Sequence, residues 1–319
     1  MEENGAVVTY YDERPSNSNF TKGIIRLKRD IYQKKIDEYY ASILEKIKTE
    51  KFDYLFVNRG EVITKAFLEK FIEMQPNCER IFFTWDSFAN HGHPTTILKY
   101  FHRRFTFDPN DAEKYNIGFR PLYFLEKYRS INRTDQSGYL YDLLFLGTAH
   151  SDRYIISNKI ADWCKSKGLN VFTYYYMHGK LVYFYQKLFD KSFKEFDYKK
   201  LSFTSLTTDQ ILELYKQSKV ILDINHPGQT GLTMRSFESL GAGKKLITTN
   251  KEIKKYPFYN SNNVFVIDRN NIQLDENFFK TEYEEINKDL YEKCSITGWL
   301  KEVMLNPEKD DWKPLMKNN

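Results

Sequence analysis

The chain has 319 residues and a mass of 38.2 kDa, which is enough sequence for two domains of ordinary size. Apolar residues make up 41% and charged residues 29% of the chain, the balance of a soluble globular protein. Its 48 basic and 43 acidic residues give a net charge of +5, which is too weak to indicate nucleic-acid binding. This charge fits either an ordinary solvated exterior or loose contact with an anionic membrane surface.

No apolar run approaches the length of a transmembrane helix, and the N-terminus lacks the basic and apolar regions of a secretory signal. The three cysteines are Cys78, Cys164 and Cys294. Their wide spacing and odd number argue against a disulfide framework and against a zinc knuckle. We therefore expect a cytoplasmic protein, with peripheral contact to the inner face of the membrane as the alternative to a fully solvated surface.

The first part of the chain alternates between predicted strands and helices. In chain order these are a strand over residues 6–11, a helix over 22–48, a strand over 54–57, a helix around 67–72, a strand over 81–85, and short strands over 105–107 and 122–124. Such alternation predicts a parallel sheet with helices on both faces. We assign residues 1–129 to this first domain.

A polar, turn-rich stretch over residues 130–138 is predicted to link two domains. The pattern then restarts in residues 139–290, the predicted second domain. Its elements are a strand over 143–146, a helix over 154–167, a strand over 170–174, a helix over 208–218, and strands over 220–224, 246–248 and 263–267. Residues 275–293 and 296–304 are predicted to form closing helices, and residues 291–319 make up the closing helix and tail.

The stretch over residues 220–250 organises the second domain. A buried strand over 220–224 leads into a turn-rich loop, a short helix over 233–240 and another strand. Gly241 and Gly243 are predicted to stop the helix. This is one turn of a doubly wound α/β sheet, in which ligands lie outside the carboxyl ends of the strands.

The loop before this helix is a place where an anion would bind, because free amide groups and the helix dipole both point there. Arg235 and Glu238 are three residues apart and share one face of the helix. An arginine can donate two parallel hydrogen bonds to a diphosphate, and a carboxylate suits the vicinal hydroxyls of a ribose. A surface ion pair of little energetic value explains the same spacing equally well.

The segment Arg235-Ser-Phe-Glu-Ser-Leu-Gly-Ala-Gly243 resembles the donor-binding segment of bacterial glycosyltransferases with the GT-B fold, in particular the group-1-like family of capsule, lipopolysaccharide and spore-surface glycan synthesis. The resemblance implies an α/β fold in which two Rossmann-like parallel-sheet domains face a cleft. It also implies that Glu238 holds the donor ribose. Many retaining members carry a second glutamate eight positions earlier, where this chain has Thr230, so a retaining or an inverting outcome stays open.

In the resembled family, a strand and most of a helix precede the point at which this chain begins. Residues 1–5 are typical of a helix end with a glycine stop, directly before the strand predicted over 6–11. We therefore hypothesise that an N-terminal strand–helix unit is missing. A start codon some tens of residues upstream in the gene would support this hypothesis, and an in-frame stop just before Met1 would contradict it.

Candidate donor-binding residues lie in two loops at predicted strand ends and in the helix after the second loop. They are Gly147, Thr148, His226, Thr233, Arg235 and Glu238. Hydroxyl groups and backbone amides in such loops can surround a diphosphate. A glycine after a strand is often only a turn residue, and a turn role explains His226 equally well.

Candidate acceptor-side groups follow strands of the first domain: Asn58 and Arg59 after one strand, and Asp86 after the next. Sugar transfer with inversion requires a base for the acceptor hydroxyl, and we assign this role to Asp86. His91 and His93 of the same loop are candidates either to share this role or to contact phosphate. The alternatives are a turn cap for Asp86 and a solvated loop position for His91. His91 and His93 together indicate a metal only weakly, because no companion ligands are readable.

The sequence therefore predicts an enzyme that moves a sugar from a nucleotide-diphosphate donor to a glycan or lipid-linked acceptor in cell-surface polysaccharide synthesis. The nucleotide-diphosphate sugar is a substrate, and we expect neither a cofactor nor a divalent metal. The chain has no Asp-x-Asp motif, and cationic side chains and amides can neutralise a departing diphosphate. Two alternatives are a nucleotide-sugar epimerase of the same fold and a catalytically inert surface-glycan or spore-associated relative.

Overall fold

The computed structural model describes residues 1–131, 138–149, 152–189, 193, 196–305, 312, 313 and 316. The chain divides into two compact units, one of Met1–Pro121 with Leu300–Trp312 and one of Leu122–Trp299 with Lys313–Asn319. Most of the predicted linker, residues 132–137, lies outside the described residues, as do His150 and Ser151, which follow the candidate residues Gly147 and Thr148 in the chain.

The first unit is a four-stranded parallel sheet with helices, in the strand order β1-β2-β3-β4. Its elements are α1 (Asn19–Ile47), β1 (Tyr54–Asn58), α2 (Lys65–Met74), β2 (Glu79–Thr84), β3 (Arg103–Thr106), α3 (Pro109–Lys114) and β4 (Gly118–Phe119). Short 3₁₀ helices cover Glu2–Asn4, His93–Thr96 and Leu98–Tyr100, and a π-helical turn covers Lys301–Leu305. The core lies where α1 and α2 pack their apolar residues onto β1 and β2.

The second unit contains a six-stranded, all-parallel sheet in the order β10-β9-β8-β5-β6-β7. Its elements begin with α4 (Glu126–Arg129), β5 (Tyr141–Thr148), α5 (Arg153–Ser166), β6 (Val171–Tyr176), α6 (Lys180–Phe189), β7 (Leu201–Ser202), α7 (Thr208–Lys216) and β8 (Ser218–Asp223). They continue with α8 (Met234–Gly241), β9 (Lys245–Thr248), β10 (Val264–Val266), α9 (Asn277–Lys280), α10 (Lys288–Lys293) and α11 (Ile296–Leu300), with a 3₁₀ helix at Lys251–Lys255 and another at Tyr198–Lys200.

This strand order is that of a doubly wound dinucleotide-binding sheet. The chain runs outwards from β5 through β6 to β7, then returns to the other side of β5 and runs outwards through β8, β9 and β10. The order therefore reverses between β5 and β8, and a crevice opens at their carboxyl ends, where ligands bind in such sheets. At this point β5 pairs with β8, from Tyr141 opposite Ser218 to Phe145 opposite Leu222.

Several predicted elements are corrected by the structure. Residues 6–11 are not a strand: a strand needs a hydrogen-bonded neighbour, and this extended segment, which is mostly exposed, pairs with none in the described chain. Residues 122–124 contribute only a single bridge, from Phe124 to Ser295. The closing helix predicted over 275–293 is two short helices, α9 and α10, separated by a non-helical stretch.

Gly241 does not stop α8, because the helix includes it. A Cβ at this position would lie 2.4 Å from the Phe124 ring, so the glycine lets the helix approach a buried phenylalanine. Backbone bonds on both sides of Phe124, to Cys294 and Ile296, hold that ring in place. The turn after the helix comes instead at Gly243, which has φ +61°, a left-handed conformation that favours glycine.

We predict that Gly241→Ala destabilises the second unit by about 1–3 kcal/mol, because neither the helix nor Phe124 can give way without moving the core. Urea unfolding followed by circular dichroism measures the change. The control is Gly179→Ala, in the same unit, where an added Cβ meets nothing within 4 Å. Equal midpoints for the two variants would contradict the packing argument.

Candidate functional site

A pocket of about 230 Å³ opens in the second unit where the strand order reverses. Its wall includes Gly147, Thr148, Arg153, Thr233, Arg235 and Glu238. Five of these were predicted as donor-binding residues, so the structure brings most of the predicted set together. His226 is not part of the wall: its side chain is exposed, and Nδ1 lies 2.7 Å from the Pro227 carbonyl oxygen.

The start of α8 is fastened to the end of β8. The Thr233 hydroxyl donates to Asp223 Oδ2 at 2.6 Å, and the Ser236 hydroxyl donates to the same oxygen at 3.1 Å. Thr233 is the residue before the helix, yet its hydroxyl makes no capping bond to the helix backbone. The amide groups of the first turn of α8 are thus left without a side-chain cap beside the pocket, an arrangement that favours an anion.

Glu238 is held by two tyrosines that the sequence did not indicate. Tyr215, at the end of α7, donates its hydroxyl to Glu238 Oε2 at 3.2 Å, and Tyr128 of α4 hydrogen-bonds the same carboxylate. Both tyrosines are buried, and their rings meet edge to face with centroids 5.2 Å apart. Burial, followed by the charge of Glu238, raises the pKa of Tyr128, which keeps its hydroxyl protonated and able to donate.

Arg235 and Glu238 are not a surface ion pair. Arg235 Nη1 lies 3.7 Å from Glu238 Oε2, but the two side chains are only 22% and 17% exposed. The guanidinium also donates to the Tyr215 hydroxyl at 3.2 Å. The pair therefore belongs to a half-buried hydrogen-bonded network on the pocket wall, in which Tyr215 contacts both partners.

Arg153 is the second arginine of the pocket, and no sequence pattern indicated it. It is the first residue of α5, and its Nε donates to the carbonyl of Ile224, just beyond β8, at 2.8 Å. Burial lowers the pKa of Arg153, Asp223 opposes that effect, and the nearby charges of Arg235 and Arg269 lower the pKa further. Arg269 is itself paired with Asp152. Two guanidinium groups thus share one pocket, and a bound anion would relieve their repulsion.

Gly147 is needed for packing within the sheet, and it also lines the pocket. A Cβ there would lie 2.6 Å from the ring of Phe145, two residues earlier on β5. Only glycine keeps this strand end flat against that ring. The same lack of a side chain leaves backbone at the pocket wall open to a ligand.

The predicted acceptor-side residues gather in the first unit, at the carboxyl ends of β1 and β2. Arg59 Nε lies 2.7 Å from Asp86 Oδ2, and Arg59 Nη2 lies 2.8 Å from His91 Nε2, which is itself 3.8 Å from the carboxylate. A guanidinium can only donate, so this contact requires a bare Nε2 and places the proton of neutral His91 on Nδ1. Asn58 ends β1, and its Oδ1 is buried without a hydrogen-bond partner in the described structure.

His91 and His93 serve different purposes. His93 Nε2 lies 2.8 Å from the Ile63 carbonyl oxygen, to which it donates, whereas His91 faces Arg59 and Asp86. Burial lowers the pKa of His93, and the Ile63 bond only partly offsets this. Among the described residues, no group of three or more His, Cys, Asp and Glu side chains is placed to hold a metal ion.

A buried polar layer lies beside Arg59. Glu13 Oε1 accepts the backbone N–H of Val62 at 3.0 Å, and Glu61 pairs with Arg14 and with Arg59. Burial raises the pKa of Glu13 to about 7, although the Val62 bond and three nearby arginines act in the opposite direction. Nothing in the sequence marks Glu13, because its burial depends on packing between the N-terminal segment and the loop after β1.

Comparison with known proteins establishes the fold alone. No protein-family model matches the sequence, and no curated protein matches it. An alpha-glucosyltransferase, solved in complex with UDP and a 13-mer DNA, is similar with a TM-score of 0.50 and 13% identity, over 88% of this chain and 79% of that one. A glycosyltransferase from Rickettsia africae ESF-5 is similar with a TM-score of 0.47 and 13% identity, over 96% of this chain and 82% of that one.

A chain of the Glycosylation Associate Protein (Gap123) complex from Streptococcus agalactiae is similar with a TM-score of 0.42 and 12% identity. The match covers 83% of this chain and 55% of that one, so this chain spans about half the length of that protein. The predicted fold class is confirmed: the chain is an α/β protein with two Rossmann-like parallel sheets, one in each unit.

The burial of Glu13 makes stability depend on pH. Its pKa is raised in the folded state from 4.5 to about 7, so the folded state binds more protons than the unfolded state between these values. The stabilisation is therefore complete below pH 4.5 and is lost as the pH rises through about 7. The free energy of unfolding of the wild type should fall by on the order of 2–3 kcal/mol across this pH range. We predict that Glu13→Gln removes this fall.

Urea titrations of the wild type and of Glu13→Gln at a series of pH values across this range measure the difference between the two curves. Glu45→Gln, which removes an exposed carboxylate on α1, is the control. Parallel curves for wild type and Glu13→Gln would show that Glu13 titrates as it does in the unfolded chain.

Proposed function

We propose that this protein is a cytoplasmic glycosyltransferase that moves a sugar from a nucleotide-diphosphate donor to a glycan or lipid-linked acceptor in cell-surface polysaccharide synthesis. One observation carries the proposal: Arg153 and Arg235 share a pocket at the point of strand-order reversal, beside a carboxylate held by two tyrosines. Two cations and a fixed carboxylate in one pocket match the two ends of a nucleoside diphosphate, phosphate and ribose.

The phosphate end is assigned to Arg153, Arg235 and the first turn of α8. Negative charge grows on the diphosphate as the sugar leaves it, and donors already aimed at that charge lower the barrier without further reorganisation. Arg153 is fixed by the Ile224 carbonyl and Arg235 by Tyr215, so neither guanidinium has to be ordered when the donor binds.

The ribose end is assigned to Glu238. A carboxylate can accept hydrogen bonds from both vicinal hydroxyls of a ribose. Tyr128 and Tyr215 act as positioning residues, because they hold this carboxylate in one orientation. A donor anchored at both ends presents its sugar in one register, which is the entropic part of the catalysis.

The acceptor side is assigned to the first unit. Asp86, beside His91, takes the proton of the acceptor hydroxyl as that oxygen bonds to the sugar carbon and the bond from that carbon to the diphosphate breaks. Arg59 and Asn58 are assigned to the acceptor, since both lie at the same sheet edge as Asp86.

We predict that one of UDP, GDP, CDP or ADP binds the full chain, and that Glu238→Ala and Arg153→Met each weaken this binding by about 10- to 100-fold. Each variant loses a charge-assisted hydrogen bond in a buried pocket. Isothermal calorimetry measures the affinities. Arg129→Met is the matched control, because it removes an arginine of the same unit that pairs with Glu292 and does not line the pocket.

Failure of all four diphosphates to bind the folded protein would overturn the donor assignment and favour an inert relative. Equal diphosphate affinity of Arg153→Met and Arg129→Met would show that Arg153 does not contact the diphosphate and would overturn its assignment to the phosphate end.

We predict that Asp86→Asn lowers sugar transfer by about 10²- to 10⁴-fold, the range expected for loss of a general base, and leaves diphosphate affinity unchanged. Mass spectrometry of the products, with the donor that calorimetry identifies, measures transfer. Asp53→Asn is the control, because Asp53 is exposed and precedes β1, at the opposite edge of the same sheet. An altered nucleotide sugar formed without any acceptor would identify an epimerase and contradict the transferase.

A further inference from the structure

Helix α6 turns its apolar side chains outward. The exposed residues are Leu181, Val182, Phe184, Tyr185, Leu188 and Phe189, with Leu181 85% and Leu188 72% exposed. At 100° per residue these six fall within an arc of about 160° of the helix. They form one continuous apolar face, which we call the α6 face, and it covers nearly half of the helix surface.

The helix is attached to its unit by the opposite side. Tyr183 is its only buried residue, and its ring packs against those of Phe193 and Tyr198. Lys187 Nζ donates to the Tyr183 hydroxyl at 2.8 Å. A helix that crosses between parallel strands normally packs its apolar face onto the sheet. In α6 this relation is reversed, and a continuous exposed apolar face of this kind marks an interaction surface.

The charge beside the α6 face indicates what covers it. Lys180 and Lys187 lie along one border of the face, and Lys199 and Lys200 follow Tyr198, all exposed. Within residues 180–200, the described residues contain these four lysines and one carboxylate, Asp197. A second copy of this chain packed face to face would bring these lysines together, which is unfavourable. An anionic lipid surface instead accepts the lysines at its headgroups and the apolar side chains below them.

We propose that α6 and residues 198–200 dock the protein onto a bilayer that contains anionic lipid. The helix lies in the plane of the surface, with the α6 face at the boundary between headgroups and acyl chains and with the lysines at the phosphates. The contact is peripheral, since no helix in the described part of the chain has the length and apolar character needed to cross a bilayer.

The position of α6 relative to the sheet indicates a role for this membrane contact. The helix follows β6, whose last residue, Tyr176, pairs with Thr148 at the end of β5. Because parallel strands end at one edge, α6 begins at the edge of the sheet that carries the pocket. Docking therefore brings this edge near the membrane, where a lipid-linked acceptor resides. Membrane binding itself does not depend on the proposed transfer reaction.

Vesicle flotation with the full chain tests the proposal. We expect binding to phosphatidylcholine vesicles with about one-third phosphatidylglycerol, at least about tenfold stronger than to phosphatidylcholine alone, and weaker at high salt. Lys199→Glu/Lys200→Glu should remove most of the preference for anionic vesicles, at about fivefold per lysine. Leu181→Ser/Leu188→Ser should lower binding to both kinds of vesicle by about tenfold or more.

The matched control is Leu140→Ser/Leu305→Ser, which removes two leucines that are 53% and 64% exposed but lie outside α6. Circular dichroism shows whether each variant is folded. Absence of vesicle binding by the folded wild type, or equal binding by the two double-serine variants, overturns the proposal. So does a concentration-dependent dimer that Leu181→Ser/Leu188→Ser abolishes, because a second copy would then cover the α6 face.

Discussion

Asp223 accepts two hydroxyl hydrogen bonds, from Thr233 and Ser236, and these bonds fix the start of α8 to the end of β8. The carboxylate is almost fully buried, so its charge must be compensated locally. The geometry of the pocket follows from this anchor. It sets where the first turn of α8 lies relative to β5, and it therefore sets the positions at which Arg235, in the first turn, and Glu238, in the second turn, line the pocket.

The charged side chains of the pocket would destabilise the folded protein if their hydrogen-bond and ion-pair partners were absent. Arg235, Glu238 and Tyr215 form a closed set of contacts, and Tyr128 completes it from α4. Each buried polar group in it has a hydrogen bond, which is the condition under which such a network gives rigidity. Arg153 differs, because its guanidinium is held by a carbonyl and faces other cations as well as Asp223. The local charge is therefore balanced for Glu238 and left positive at Arg153. In the proposed function, this asymmetry orients the nucleoside diphosphate.

The α6 face and the buried polar layer around Glu13 show opposite departures from ordinary burial. In one case apolar side chains are exposed, and in the other Glu61 is buried and the side chains of Arg14 and Arg59 beside it are only 11% and 17% exposed. Both cost free energy in an isolated chain, through uncovered apolar area and through desolvated charge. The first lies on a surface beside the sheet edge that carries the pocket, and the second lies beside the residues assigned to the acceptor.

The sequence by itself determined the alternation of strands and helices and the α/β class. It also placed Gly147 and Thr148 at a strand end, and Thr233, Arg235 and Glu238 at and within the short helix after the next loop. Those features depend on local periodicity and on the rule that ligands meet parallel strands at their carboxyl ends. The tertiary structure alone decided which residues join them. Tyr128 and Tyr215 lie on separate helices, and Arg153 reaches the pocket from α5. The close approach of Phe124 explains why position 241 is a glycine. Contacts between residues far apart in the chain leave no local pattern, because they depend on how strands order themselves in the sheet. The outward orientation of the α6 face is likewise a result of tertiary structure. The composition of α6 is that of an ordinary amphipathic helix, and only packing shows which face is uncovered.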